Sequence, residues 1–302
     1  DADTILEKDA ISFVLYDFLS SEHCLAVGGS LYLLNGNQVK NGKLLTKRMP
    51  QKLVPAMQSI EYLRSFSYGR VGLNQMSGAL CYPGAFTLFE TEALREFGGF
   101  DTNNFSFDAE VILKFHHKMR QLHYPTSVRF SVNAHAWTLA PDTLGAYWIQ
   151  RNHWQRGMLL SAFKHITMFL NPKYGFIGLV TFPCYLLFEI AGPCVEFIAY
   201  CLLILSLIFH IVPLSLIAWY VFLAWGGLIL LTLGVFYLNI ITSHRFYRFS
   251  DLIRSLGLTT FEWFGFRQFK AACCFFGTLH FFWTQLKSCL FKIRRMPQSP
   301  SE

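Results

Sequence analysis

Apolar and polar positions are mixed over the first 140 residues or so and sharply segregated after them. Within the mixed part, "ISFVLYDFL" (11–19) has helical spacing, and "CLAVGGSLYLLNGN" (24–37) reads as a strand running into an Asn-Gly turn. "ALCYPGAFTLF" (79–89) is a further β-rich stretch, followed by "TEALREFGGF" (91–100), a short helix closed by Gly98-Gly99. From Asp108 onward a helix is predicted, with Val111, Ile112, Phe115, Met119 and Leu122 on one face. "SVRFSV" (127–132) predicts a short strand. Strands alternating with helices predict an α/β layer structure.

The next helix is bracketed by its own punctuation. Pro141-Asp142-Thr143 is a start signal and Asn171-Pro172 a stop. On it Gln150, His153, Trp154 and Gly157 share a face. Leu159, Leu160, Phe163 and Ile166 make it amphipathic, as for a helix lying at a membrane surface. Residues 175–209 are then apolar apart from Glu189 and Glu196, with Gly192-Pro193 interrupting, and residues 214–242 carry no charge. A membrane span needs about 20 apolar residues. The pattern predicts two spans, 193–211 and 214–242, with 175–191 interfacial or part of a tilted first span. Lys164 and Lys173 precede this region, His244, Arg245, Arg248 and Arg254 follow it, and the turn at 210–213 has no Lys or Arg. Both basic flanks are therefore expected in the cytoplasm. "FEWFGFRQFK" (261–270) reads as an aromatic-rich loop between short helices. The 271–283 run is too short to span, and the tail is basic and then polar. The predicted organisation is a mixed domain (1–140), interface helices (141–172), a membrane region (173–250) and interfacial helices with a basic cytoplasmic tail (251–302).

Composition supports a membrane class. Charged residues are 15% and apolar ones 53% of the chain, against roughly 25% charged in a soluble globular protein. The net charge of +7 comes from basic residues flanking apolar runs, not from a patch with exposed aromatics, so nucleic acid is not an expected partner. The eight cysteines contain no C-x-x-C pair and read as small core or lipid-facing residues. His116, His117 and His123 lack a zinc-type partner set and read as surface-helix residues. The chain starts at Asp1 and shows no signal peptide, which raises the expectation of a longer protein.

Three sets of residues carry candidate chemistry. Asp1-Ala2-Asp3 places two carboxylates on a tight turn, able to hold a hard divalent cation against a diphosphate, although acidic residues near a chain end are also common. Asp108 can be a helix N-cap, or a general base that takes a proton from an attacking hydroxyl. In "IQRNHWQRG", Trp can stack on a sugar face while Gln and Arg hold hydroxyls or phosphate. An interfacial helix with an aromatic belt and snorkelling arginines accounts for the same residues.

Taken in order, "DADT" (1–4), "QSIEYLRSF" (58–66), "SGALCYPGAFTLFETEALREFGGFD" (77–101), "FDAEVILKFHH" (107–117), "AWTLAPDTL" (136–144), "QRNHWQRGM" (150–158) and "FGFRQF" (264–269) resemble the membrane-bound family 2 glycosyltransferases. These include cellulose, hyaluronan and poly-N-acetylglucosamine synthases. The resemblance implies a GT-A-like α/β fold, followed by a helical membrane region, and inverting transfer from a nucleotide-sugar, a UDP-sugar, to a saccharide or lipid-linked acceptor. It implies that Asp1 and Asp3 bind Mg²⁺ or Mn²⁺, with Asp3 nearer the metal, and that Asp108 is the general base. Gln150, Arg151, His153 and Trp154 would lie at the donor and acceptor mouth, with Trp154 stacked on the acceptor. The expected location is the cell membrane, multi-pass, with the catalytic part cytoplasmic. The sequence departs from the family pattern at Phe107 (acidic), His153 (arginine) and Leu139 (acidic). The half of the GT-A domain that precedes the D-x-D in the family is also missing from this chain, so an N-terminal half or partner chain is expected elsewhere. A catalytically inactive fragment or partner subunit of an envelope polysaccharide complex is the alternative. A channel finds little support in 214–242 beyond scattered Thr and Asn.

Overall fold

The structure is a computed structural model that describes residues 1–65, 69–75, 80–122, 127–243 and 249–294. A short strand β1 (Ile5–Leu6) leads into α1 (Ala10–Leu19), as the 11–19 spacing predicts. β2 (Cys24–Leu33) is buried at almost every position because helices cover both its faces. The expected Asn35-Gly36 turn follows, with Gly36 at φ 77°, a conformation glycine takes without strain. A hairpin of β3 (Val39–Lys40) and β4 (Lys43–Leu44) precedes α2 (Leu53–Arg64) and α3 (Arg70–Gln75). Then come β5 (Thr87–Phe89), α4 (Thr91–Glu96), α5 (Phe107–Gln121) and β6 (Ser127–Thr138).

The main sheet has the order β1-β6-β2-β5. β6 runs parallel to β2, while β1 and β5 pair antiparallel at the edges. A parallel neighbour requires a crossover, and α2 to α5 supply it. One apolar cluster packs α1 and Tyr62 of α2 against β2 and β6. A second packs Val111, Ile112, Phe115 and Met119 of α5 against Leu25, Val128 and Phe130. The α/β layering is as expected.

Several local expectations change. Of the predicted 79–89 stretch, residue 79 lies outside the described residues, and 80–89 is a strand only at Thr87–Phe89, because Pro83 and Gly84 hold the residues before it in a loop. The short strand at 127–132 extends to Thr138 through an irregularity: Gly29 faces Ser131, whereas Ser30 faces His135. Leu122 falls off the core face and is exposed. His116 is buried at 2% exposure, and His117 Nδ1 lies 2.8 Å from His165 Nδ1, so neither is a plain surface residue; His123 lies outside the described residues.

α6 (Leu144–Lys164) begins as predicted, with Thr143 Oγ1 accepting from the Ala146 N–H at 3.2 Å. It ends before Asn171-Pro172, and single 3-10 turns at Ile166–Met168 and Pro172–Tyr174 carry the chain onward. It does not lie free on a surface. Tyr147, Arg151, Gln155, Leu159 and Ala162 are buried between α2, α5 and the helices that follow.

Among the described residues, two helices are long and apolar enough to cross a membrane. α7 (Ile177–Ile208) is continuous, π-helical over Ile177–Thr181 and Tyr185–Ala191 and α-helical from Gly192. α8 (Leu214–Ser243) is the second, apolar through Ile241. α9 (Phe249–Phe261) and α10 (Arg267–Arg294) follow. The expected loop at 261–270 is a kink between them at Phe264 and Gly265, and the 271–283 run is the middle of a long helix packed on α6 and α7.

Candidate functional site

A cavity of about 1870 Å³ opens where the sheet domain meets the apolar helices. Its walls include Asp1 and Asp3, the loop Cys81 to Ala85, the start of α5, and Gln150, Arg151 and Trp154 of α6. It continues onto α7 at Glu189, Pro193, Glu196 and Tyr200, and onto α8 at Leu216 and Tyr220.

Asp108 stands in the first turn of α5, where the helix N-terminus favours an anion. The Gly84 N–H donates to its Oδ2 at 3.1 Å. Burial pushes its carboxyl above the ordinary carboxylate range, while the N–H groups of Ala109 and Gly84 and the charge of Arg70 pull the other way. A raised carboxylate that lines a cavity is poised to accept a proton. Gly84 is required: a Cβ there would sit 2.7 Å from Asp108 Oδ2.

Asp3 Oδ1 accepts from Thr138 Oγ1 at 3.3 Å, and neither Asp1 nor Asp3 is in an ion pair among the described residues. Two carboxylates outside any such ion pair on a cavity wall are a hard-oxygen donor pair of the kind Mg²⁺ uses when diphosphate and water complete its shell. No group of three or more His, Cys, Asp or Glu gathers for a metal among the described residues.

The four α6 residues separate in role. Gln150 lines the cavity, and its buried Oε1 has no hydrogen-bond partner among the described residues. Trp154 lines it too, with the Tyr62 ring stacked 6.5 Å away. Arg151 is buried between the Tyr147 and Trp154 rings, its Cζ 4.7 and 4.4 Å from their centroids, and pairs with Glu61 at 2.8 Å. Lys270 of α10 also pairs with Glu61. Burial alone would raise the Glu61 carboxyl, yet Arg151 and Lys270 hold it at about 2. Arg151 therefore supports the Trp154 face and ties α2 to α6. His153 is exposed and is not among the lining residues. Its ring stacks on the Phe105 ring at 5.4 Å, and Arg156 lies over the Phe105 ring at 4.6 Å.

No motif in the sequence singles out Glu61, Gly84 or Lys270, and Glu189 stands out there only as one of two carboxylates in an apolar run. Glu61 and Gly84 lie inside stretches quoted for their resemblance, and a Pro-Gly pair ahead of a strand is a visible turn signal. Nothing local marks Glu61 as the partner of Arg151, which lies ninety positions away. Cys81 lines the same cavity as Asp108. Burial pushes its thiol up to about 12, despite the nearby Arg70 guanidinium.

A family model described as "Glycosyltransferase like family 2" matches residues 1–157. The poly-beta-1,6-N-acetyl-D-glucosamine synthase of Staphylococcus epidermidis is 30% identical over 159 residues, covering 52% of this chain and 33% of the relative. The enzyme of the same description from Staphylococcus aureus strain COL matches with the same identity and coverage. The chain thus spans about a third of the length of the curated relatives it matches.

Proposed function

Because the chain belongs to glycosyltransferase family 2, we propose that it serves sugar transfer from a nucleotide-sugar to a saccharide or lipid-linked acceptor at the cytoplasmic face of the cell membrane. The observation that carries this is the single cavity that brings Asp108, the Asp1/Asp3 pair, Gln150 and Trp154 together and opens onto α7 and α8. The named relatives make poly-β-1,6-N-acetyl-D-glucosamine, so UDP-N-acetylglucosamine is the proposed donor. The two apolar helices, α7 and α8, would hold the site at the bilayer surface, with the basic flanks inside.

In the proposed reaction these residues take the following parts. Trp154 stacks on the acceptor sugar, and Gln150 offers its unpaired Oε1 to a hydroxyl. The Asp108 carboxylate takes the proton of the attacking hydroxyl. That oxygen bonds to the anomeric carbon as the bond to the UDP oxygen breaks, and the sugar's configuration inverts. Asp1 and Asp3 would hold Mg²⁺ or Mn²⁺, which neutralises the charge left on the diphosphate.

Phe107, Leu139 and the outward-facing His153 favour a second reading, an inactive partner subunit of a polysaccharide complex. The full protein, purified from its membrane and given radiolabelled UDP-N-acetylglucosamine and an N-acetylglucosamine oligosaccharide, separates the two. Metal-dependent transfer that EDTA abolishes is expected, with Asp108→Asn slowing it by about 10²–10⁴-fold. Undiminished turnover in Asp108→Asn overturns the base assignment. No transfer by the wild type favours the partner subunit.

A further inference from the structure

The carboxylates on the cavity wall fall into three sets. Glu61 is paired with Arg151 and Lys270, Glu262 with Arg64, and Glu196 with Arg267. Asp1, Asp3 and Asp108 have roles in the proposed transfer. Glu189 remains. It lies on α7 in the segment Tyr185–Ala191, beside the exposed Leu187 and Phe188, and forms no hydrogen bond or ion pair among the described residues.

An unpaired carboxylate in a helix apolar enough to cross a membrane is costly, and it persists where it meets water or a ligand. Glu189 meets the cavity, on the wall that α7 forms. Its charge reaches the same surroundings as that of Asp108. Cys81, whose thiol burial raises against the pull of Arg70, is raised further by both carboxylates.

We propose that Glu189 is an acceptor-positioning residue, its carboxylate accepting hydrogen bonds from hydroxyls of the acceptor sugar and turning the attacking hydroxyl toward Asp108. This rests on the glycosyltransferase reading above. A carboxylate can accept from two neighbouring hydroxyls at once, and such charge-assisted bonds are strong and directional. Trp154 supplies a flat face without fixing rotation about it. A hydrogen-bonding carboxylate on another wall fixes that rotation.

The test uses the full protein with UDP-N-acetylglucosamine and a short N-acetylglucosamine oligosaccharide, measuring KM for each. Glu189→Leu is expected to raise the acceptor KM by about tenfold, the loss of one charge-assisted hydrogen bond, with donor KM near the wild-type value. Glu189→Gln keeps a hydrogen-bonding amide and is expected to raise it less. An acceptor KM unchanged in both variants overturns the inference, and so does an equal rise in donor KM, which marks a general disturbance. If Glu189→Leu fails to accumulate, Glu189→Gln decides alone, and a wild-type acceptor KM refutes the proposal. A wild type that transfers no sugar removes the glycosyltransferase reading and this inference with it. Wild-type transfer with an unchanged acceptor KM in the variants removes the inference alone.

Discussion

Gly157→Ala tests how the base is placed. In an unhindered helix interior this substitution stabilises by about 1 kcal/mol. Here a Cβ would meet Ser106 Oγ at 2.2 Å, Ser106 Cβ at 2.6 Å and Ser106 N at 2.6 Å. The last of these is backbone and cannot swing away. Ordinary contact begins at 3.4 Å, so α6 and the start of α5 must separate by about 0.8 Å (3.4 − 2.6). Ser106 is the N-cap position of the helix that carries Asp108, and Gly157 is on the helix that carries Gln150 and Trp154. The methyl therefore pushes the base away from the acceptor face. Overpacking of this kind costs about 1–3 kcal/mol, enough to reverse the helix-propensity gain. A displacement of about 1 Å at reacting groups can cost about 10²-fold in rate. Thermal unfolding in detergent and the initial transfer rate, measured together, check both parts. Gly145→Ala, in the same helix with nothing within 4 Å of the added carbon, is the control and is expected to be neutral or stabilising. A Gly157→Ala protein that melts higher and keeps its rate would refute the packing of α6 on the Asp108 turn.

Arg151→Met is expected to destabilise the fold by about 3 kcal/mol, the lower end for breaking a buried pair because Lys270 stays with Glu61. Pairing it with Glu61→Gln should recover part of that loss in denaturant melts, and strict additivity would refute the coupling. Glu61 and Glu110 are both held at about 2 from an ordinary 4.5, Glu110 against its burial by His165, Lys164 and Lys114. Carboxyls depressed in the fold contribute stability that is complete above pH 4.5 and lost as pH falls toward 2. The melting temperature should follow that window, and a flat acid profile would contradict it. The raised Asp108 carboxyl places the acid limb of the transfer rate above pH 3.8, with the rate rising as pH rises. That limb should disappear from whatever activity remains in Asp108→Asn.

Local pattern alone determined much of this protein. The helical spacing of 11–19, the Gly98-Gly99 stop and the Thr143 start need only neighbouring residues, and each stands in the structure. The uncharged run behind α8 is equally local, because a span is a matter of length and hydropathy. β6 runs beyond its predicted 127–132 because alternation breaks at the irregularity beside Gly29, and a period of two does not carry past a shifted register. The kink at 261–270 looked like a loop because glycine and aromatics interrupt the helical pattern without ending it.

What lines the cavity was decided by packing. Helical periodicity puts Gln150, His153 and Trp154 on one side of α6, but it does not say what that side meets. Phe105 takes His153 out of the cavity lining, and Glu61 turns Arg151 into a strut. Glu61 lies on α2, Lys270 on α10 and Glu189 on α7, and each comes to the cavity only when those helices close around α6. Side-chain chemistry is a property of residue type and is written locally. The distance between two side chains far apart in the chain depends on every turn between them, and only the folded molecule sets it.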